Sequence, residues 1–340
     1  MALPYQVENT PSQIFGSSSP LTFVLNPGTG KKVSKLDVCL YGTFTVSGVT
    51  TAGTLFGDGG PAGLIQKIKV RLNPAPGSRY PGGNCVNLTP RGVLRLASIR
   101  IKKLLLEQSG STIGNGANGT YGIYMSFPIY FCHPRSKNFL TALNLDPFAY
   151  SSVAVKVYTG NLSNCFSGNN GTMVINSLAV HVKSISHNVP GDSFVKFTED
   201  HVTQIPATKN DFVDTAMPSG GSFTKWLLLT ETTSQATLTD GILNRCEVYG
   251  AGAKFELTAQ DLRDKILSEG WLDLSANATG HYLFDFIDGD ITRAVPAASI
   301  RAKFDINMLS TSYVDGLHFI TERVYAPRSM NVTVMPEYAG

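Results

Sequence analysis

An order of elements that runs through residues 36–160 returns through residues 223–308, and this repetition constrains the fold more than any other feature of the chain. In the first pass Leu36–Val46 alternates apolar and polar residues into Gly48, and Gly63–Leu72 follows as a second strand. A helix starts at Thr89-Pro90, and strands Tyr121–Phe131 and Ser152–Tyr158 complete the set. In the second pass the counterparts are Phe223–Thr232, Ile242–Phe255, a helix from Thr258, His281–Ile287 and Ser299–Met308. The passes share pattern rather than residue identity, and the spacing between counterparts narrows along the chain, as loops of unequal length would make it. An ordered repeat of this size predicts two similar domains. The 340 residues also exceed one ordinary core and suit two of roughly 150 residues each.

The elements themselves predict an all-β chain. Tyr121, Ile123, Met125 and Phe127 fall on one strand face and Gly122 and Ser126 on the other, while Pro128 marks an edge or bulge. Val153, Val155 and Val157 alternate with Ala154, Lys156 and Tyr158. Ile300, Ala302, Phe304 and Ile306 alternate in the same way with Arg301, Lys303, Asp305 and Asn307. The 33 glycines and 18 prolines, with Ser, Thr and Asn between the strand-like runs, supply the turns. Each half holds one capped helix. Thr258-Ala-Gln-Asp261 is an acidic capping box, followed by Leu262, Ile266 and Leu267 on one face and stopped by Gly270. Thr89 caps a helix with Pro90 at its first position and Leu94, Ala97, Ile101, Leu104 and Leu105 on one side.

Charge divides the halves. Residues 1–188 hold 16 Lys and Arg against 5 Asp and Glu, a net +11, and residues 189–340 hold 12 against 20, a net −8. The positive charge is densest at Arg91, Arg95, Arg100, Lys102 and Lys103, along and just after the first helix. One reading is a solvated face. A second is nucleic-acid binding, against which stand the missing interleaved aromatics and the missing reading motif. A third is a subunit interface, in which the basic half of one chain docks on the acidic half of the next. Only 16% of residues are charged, against about 25% in an average soluble domain, so much of the surface is expected to lie against other protein.

Motifs for chemistry are sparse. Asn26–Lys32 resembles a phosphate loop but has Leu25 where the first glycine is needed and Lys32 where Ser or Thr is needed, so it reads as a turn. No serine sits in a G-x-S-x-G elbow. The six histidines, His133, His181, His187, His201, His281 and His318, show no metal-binding spacing. Cys39, Cys85, Cys132, Cys165 and Cys246 are odd in number, scattered and without a C-x-x-C pair, as expected of buried thiols in a reducing compartment. Asp285, Asp288 and Asp290 at a strand end, with Gly289 between, are candidate calcium ligands. A hydrogen-bonded turn and a glycosidase carboxylate pair are the competing readings of that cluster. Met1–Ser19 has neither the basic nor the apolar segment of a secretory signal, and no apolar run reaches spanning length.

Two strand-rich halves with a helix inserted at the same place resemble the double jelly-roll major capsid proteins of tailless icosahedral viruses, especially internal-membrane bacteriophages. The stretches that carry the resemblance are Pro61–Val70, Leu145–Val153 and the two capped helices. It implies two tandem eight-stranded jelly-roll sandwiches, over residues 20–188 and 189–327, with an N-terminal arm at 1–19 and a tail at 328–340. It further implies a non-enzymatic homotrimer whose six sandwiches imitate a hexagon and pave a virion shell around a membrane and genome. Assembly would take place in the host cytoplasm. The expected partners are neighbouring capsomers, vertex or penton proteins, minor capsid proteins and the membrane. No cofactor beyond the candidate calcium and no sequence-specific nucleic acid is expected. The rivals are a viral spike or adhesin and a double jelly-roll glycan-cleaving hydrolase.

Overall fold

The computed structural model describes residues 5–16, 20–26, 30–48, 54–55, 60–78, 80–103, 105, 118–132, 143–160, 166–167, 172–188, 194–205, 207–213, 217–232, 237–250, 253–268, 278–287, 293–309 and 315–326. The chain forms two compact units, one of residues 1–97 and 105–193, the other of residues 98–104 and 194–340.

In the first unit, β1 (Tyr5–Asn9), β2 (Gln13–Ile14), β3 (Leu21–Val24), β4 (Lys31–Ser47), β5 (Thr54–Leu55), β6 (Ile65–Pro74) and β7 (Gly83–Leu88) lead into helix α1 (Pro90–Ile101), of which residues 98–101 count with the second unit. β8 (Gly119–Tyr130), β9 (Tyr150–Thr159), β10 (Phe166–Ser167), β11 (Thr172–Ile175) and β12 (Ala179–Asn188) follow. One antiparallel sheet runs β1-β12-β4-β8, with β2 continuing the edge beside β12 and β11 pairing the far end of β4. The other runs β3-β9-β6-β7, and β5 pairs β10 apart from both. The reason is visible in β6, where Ile68, Val70 and Leu72 are buried and Lys67, Lys69 and Arg71 point the other way. Burying the apolar faces of two such sheets against each other is what a sandwich achieves.

The second unit repeats this wiring. It consists of β13 (Val195–Ile205), β14 (Lys209–Val213), β15 (Ser222–Thr232), β16 (Thr237–Leu238), β17 (Leu243–Gly250), β18 (Ala253–Thr258), helix α2 (Ala259–Ser268), β19 (His281–Asp285), β20 (Val295–Pro296), β21 (Arg301–Ile306) and β22 (Asp315–Tyr325). Its sheets run β13-β22-β15-β19 and β14-β21-β17-β18. Strand for strand this matches β1-β12-β4-β8 and β3-β9-β6-β7, and both helices bridge the same pair of strands. Each unit is therefore an eight-stranded jelly roll with one inserted helix. The second core joins Phe223, Trp226, Leu228 and Phe319 of one sheet to Cys246, Val248, Ala302 and Phe304 of the other, with Leu262 of α2 among them.

The caps form as the sequence predicts. Thr258 Oγ1 accepts the Asp261 N–H at 3.1 Å, and the Asp261 carboxylate accepts the Thr258 N–H at 2.8 Å. The Thr258 hydroxyl, which donates to the Asp261 carboxylate at 2.7 Å, and the Thr258 N–H together hold that carboxyl below its usual value. Thr89 Oγ1 accepts the Gly92 N–H at 3.1 Å. Two strands need glycine where another chain segment crosses them. A Cβ on Gly42 (φ +134°) would stand 1.9 Å from the Ser177 carbonyl oxygen, and one on Gly250 (φ +141°) would stand 1.8 Å from that of Ser299.

Two expectations are corrected. Residues 5–9 and 13–14, expected within a free arm, are β1 and β2, hydrogen-bonded along β12. As an edge strand, β1 is half-exposed on alternate residues, so its pattern is too polar to announce it. Ile242–Phe255 is two strands, β17 and the start of β18, rather than one. The tail at 328–340 lies outside the described residues.

Candidate functional site

Of the basic cluster, Arg91, Arg95 and Arg100 are buried, whereas Lys102 is half-buried and Lys103 exposed. The expectation that all five present charge to a neighbouring subunit is corrected accordingly: the three arginines serve their own chain. Arg95 Nη1 donates to the Leu105 carbonyl oxygen at 3.3 Å. Arg100 Nη2 donates to Glu322 Oε1, and Lys196 Nζ stands 3.6 Å from the same oxygen. Helical periodicity gave no hint of this, because nearly every residue of α1 is buried, whichever side of the helix it occupies.

Glu322 belongs to a buried, charged sheet face. Along β22 the residues Leu317 and Phe319 enter the core, so His318, Ile320 and Glu322 point away from it, yet all three are buried. On the same face Lys225 Nζ lies 2.5 Å from Asp285 Oδ2. His318 Nε2 lies 2.7 Å from Glu231 Oε1, and its Nδ1 lies 3.6 Å from Asp200 Oδ1. A histidine oriented by a carboxylate is one element of a catalytic site. Here, however, the group is only 6% exposed and a substrate could not reach it.

Asp285 is thus committed as the partner of Lys225, and its Oδ1 also accepts the Ile287 N–H at 3.1 Å. At Asp285 alone this is the kind of bond that the hydrogen-bonded-turn reading expects. Asp288 and Asp290 lie outside the described residues. Among the described residues no three His, Cys, Asp or Glu side chains are placed to hold a metal ion. Cys39, Cys85 and Cys246 are buried. Burial pushes the Cys246 thiol up to about 12, so it carries no thiolate at neutral pH.

The outward face of β14-β21-β17-β18 carries an ion-pair network that the sequence did not announce. Arg245 Nε donates to Asp305 at 2.6 Å and its Nη1 to Glu256 at 2.8 Å, while Asp211 and Glu247 lie within 4 Å of the guanidinium. Its members are scattered from residue 211 to 305, and only the strand pairing brings them together. The Arg245 hydrogen bond lowers Asp305 and Glu256 below their ordinary 3.8 and 4.5. Folded carboxyls that titrate lower than unfolded ones stabilise the fold above the unfolded values, and that contribution drains away as pH falls through the folded ones. Arg245→Gln should therefore lower the melting temperature at neutral pH, with the difference closing below about pH 4 in a pH series of thermal melts. A difference that held constant into acid would refute the network's role.

No protein-family model matches the sequence, and no curated protein matches it. Solved structures do match. The major capsid protein of STIV, the Sulfolobus turreted icosahedral virus, superposes with a TM-score of 0.70 at 12% identity, covering 98% of this chain and 100% of that one. The Faustovirus major capsid protein gives 0.62 at 8% identity, over 95% of this chain and 90% of that one. The major capsid protein of bacteriophage PM2 gives 0.57 at 14% identity, over 95% and 98%. The likeness spans both jelly rolls rather than one, and the fold of this chain is the double jelly roll of viral major capsid proteins.

Proposed function

We propose that this chain is a structural major capsid protein. Three copies form a pseudo-hexameric capsomer, and capsomers tile an icosahedral virion shell around an internal membrane and genome. The observation that carries the reading is the identical strand wiring of the two units within one chain. Two like sandwiches per copy let a threefold assembly present six similar walls, a geometry that closes and packs. The fold match to viral major capsid proteins over 95–98% of the chain supports it. Partners in this reading are further copies, vertex and minor capsid proteins and the membrane, and catalysis has no part in it.

Native mass spectrometry tests this. A species of about 110 kDa, three copies of the 36.6 kDa chain, is expected, and it should weaken with added salt as screening shortens the reach of exposed charges. Electron microscopy should then show hexagonal blocks or shells. A chain that stays monomeric at all concentrations, or that cleaves glycans, would overturn the reading.

A further inference from the structure

The β3-β9-β6-β7 sheet of the first unit has an unusual outer face. Lys67, Lys69 and Arg71 of β6 point away from the core, as does Lys156 of β9. The register sets Lys69 directly opposite Lys156, with Lys67 opposite Tyr158. No Asp or Glu occurs anywhere in the four strands. Among the described residues, none of the four cations has a carboxylate within 4 Å. Arg71 Nε donates to Asn73 at 3.2 Å, and Lys69 Nζ rests 4.8 Å from the Tyr158 ring centre. Like charges placed directly opposite in a sheet are destabilising, so this face costs its own unit stability.

The second unit shows that the fold does not require it. In the matching strands β17 and β21, Arg245 lies opposite Asp305 and Glu247 opposite Lys303, while Arg301 lies opposite Tyr249. One jelly roll neutralises this face internally and the other leaves it positive. The chain also carries the counter-charge elsewhere, since residues 189–340 have a net charge of −8.

We propose that the Lys67, Lys69, Arg71 and Lys156 face is a docking surface for the acidic second unit of another copy of this chain. This rests on the assembly reading above and names the surface that reading left open. Complementary potentials of this kind fix which unit meets which and suppress like-with-like pairing. A single-stranded nucleic acid would need aromatic rings free to stack, and the ring on this face, Tyr158, is already covered by Lys69.

The test mixes chains labelled with light and heavy nitrogen, assembles them at low salt and joins touching amines and carboxylates with a zero-length carbodiimide. Mixed-isotope links from Lys67, Lys69 or Lys156 to carboxylates within 189–340 are expected. Lys69→Glu supplies the second arm. It creates an opposite-charge pair with Lys156, so the chain's thermal melt should hold or rise while self-association weakens about tenfold or more at low salt. A merely structural role would move both in the same direction. If an oligomer forms with these lysines as reactive toward an amine reagent as in the dissociated chain, this assignment fails and the capsid reading stands. Binding of single-stranded DNA or anionic vesicles that Lys69→Glu abolishes, with association intact, would also overturn it. A chain that never associates overturns both.

Discussion

Glu322→Ala should destabilise the second unit by about 3–5 kcal/mol, the usual cost of removing one partner from a buried ion pair. Glu322 is 3% exposed, and it is the carboxylate shared by Arg100 and Lys196, themselves 7% and 5% exposed. Truncation takes from both cations, in a site already stripped of water, the carboxylate that they share. At 2–4 °C per kcal/mol for a domain of this size, the melting temperature should fall by roughly 6–20 °C. The direct comparison is a triple variant, Arg100→Met, Lys196→Met and Glu322→Leu. It removes the charges together and should recover most of the loss, because apolar replacement of a whole buried cluster is often neutral or better. A single variant within about 1 kcal/mol of the parent would show that the carboxylate does not balance these charges.

That cluster marks where sequence reasoning succeeds and where it stops. β9 and β21 were legible because one face of each is buried and the other wetter, so Val153, Val155 and Val157, or Ala302, Phe304 and Ile306, stand out against their neighbours. The α2 cap was legible because its chemistry is local, three residues apart. β22 was not, since both of its faces are buried: His318, Glu322 and Arg323 interrupt the apolar pattern of a strand with no exposed side. β12 was blurred in the opposite sense, with Ser184 and Ser186 facing inward and Ile185 outward. The five basic residues near α1 were found by charge alone. Charge type does not reveal what covers a side chain, so three of the five proved to be interior. Lys156 alternates with the valines of β9 in the sequence, but only the register set Lys69 of β6 against it.

Trp226→Ala should cost about 3–5 kcal/mol, as large-to-small changes of buried aromatics do. Trp226 is fully buried on β15, and four rings surround it. Phe223, Phe286 and Phe319 meet it nearly edge-on at centroid distances of 5.1, 4.8 and 5.4 Å, and Phe284 at 5.8 Å. Edge-to-face pairs each add about 0.5–1.5 kcal/mol beyond buried area, so the alanine forfeits several together with the volume. The indole also carries a liability, because its Nε1 has no hydrogen-bond partner among the described residues. Trp226→Phe keeps a ring in the cluster and removes that buried donor, so two opposing effects should leave a net loss of only about 1–2 kcal/mol. Chemical denaturation followed by far-ultraviolet circular dichroism, which does not depend on the deleted fluorophore, separates the two variants. If phenylalanine costs as much as alanine, the edge-on ring geometry is not what stabilises this core. If alanine costs under about 1 kcal/mol, the core closes around the gap and Trp226 is not its centre.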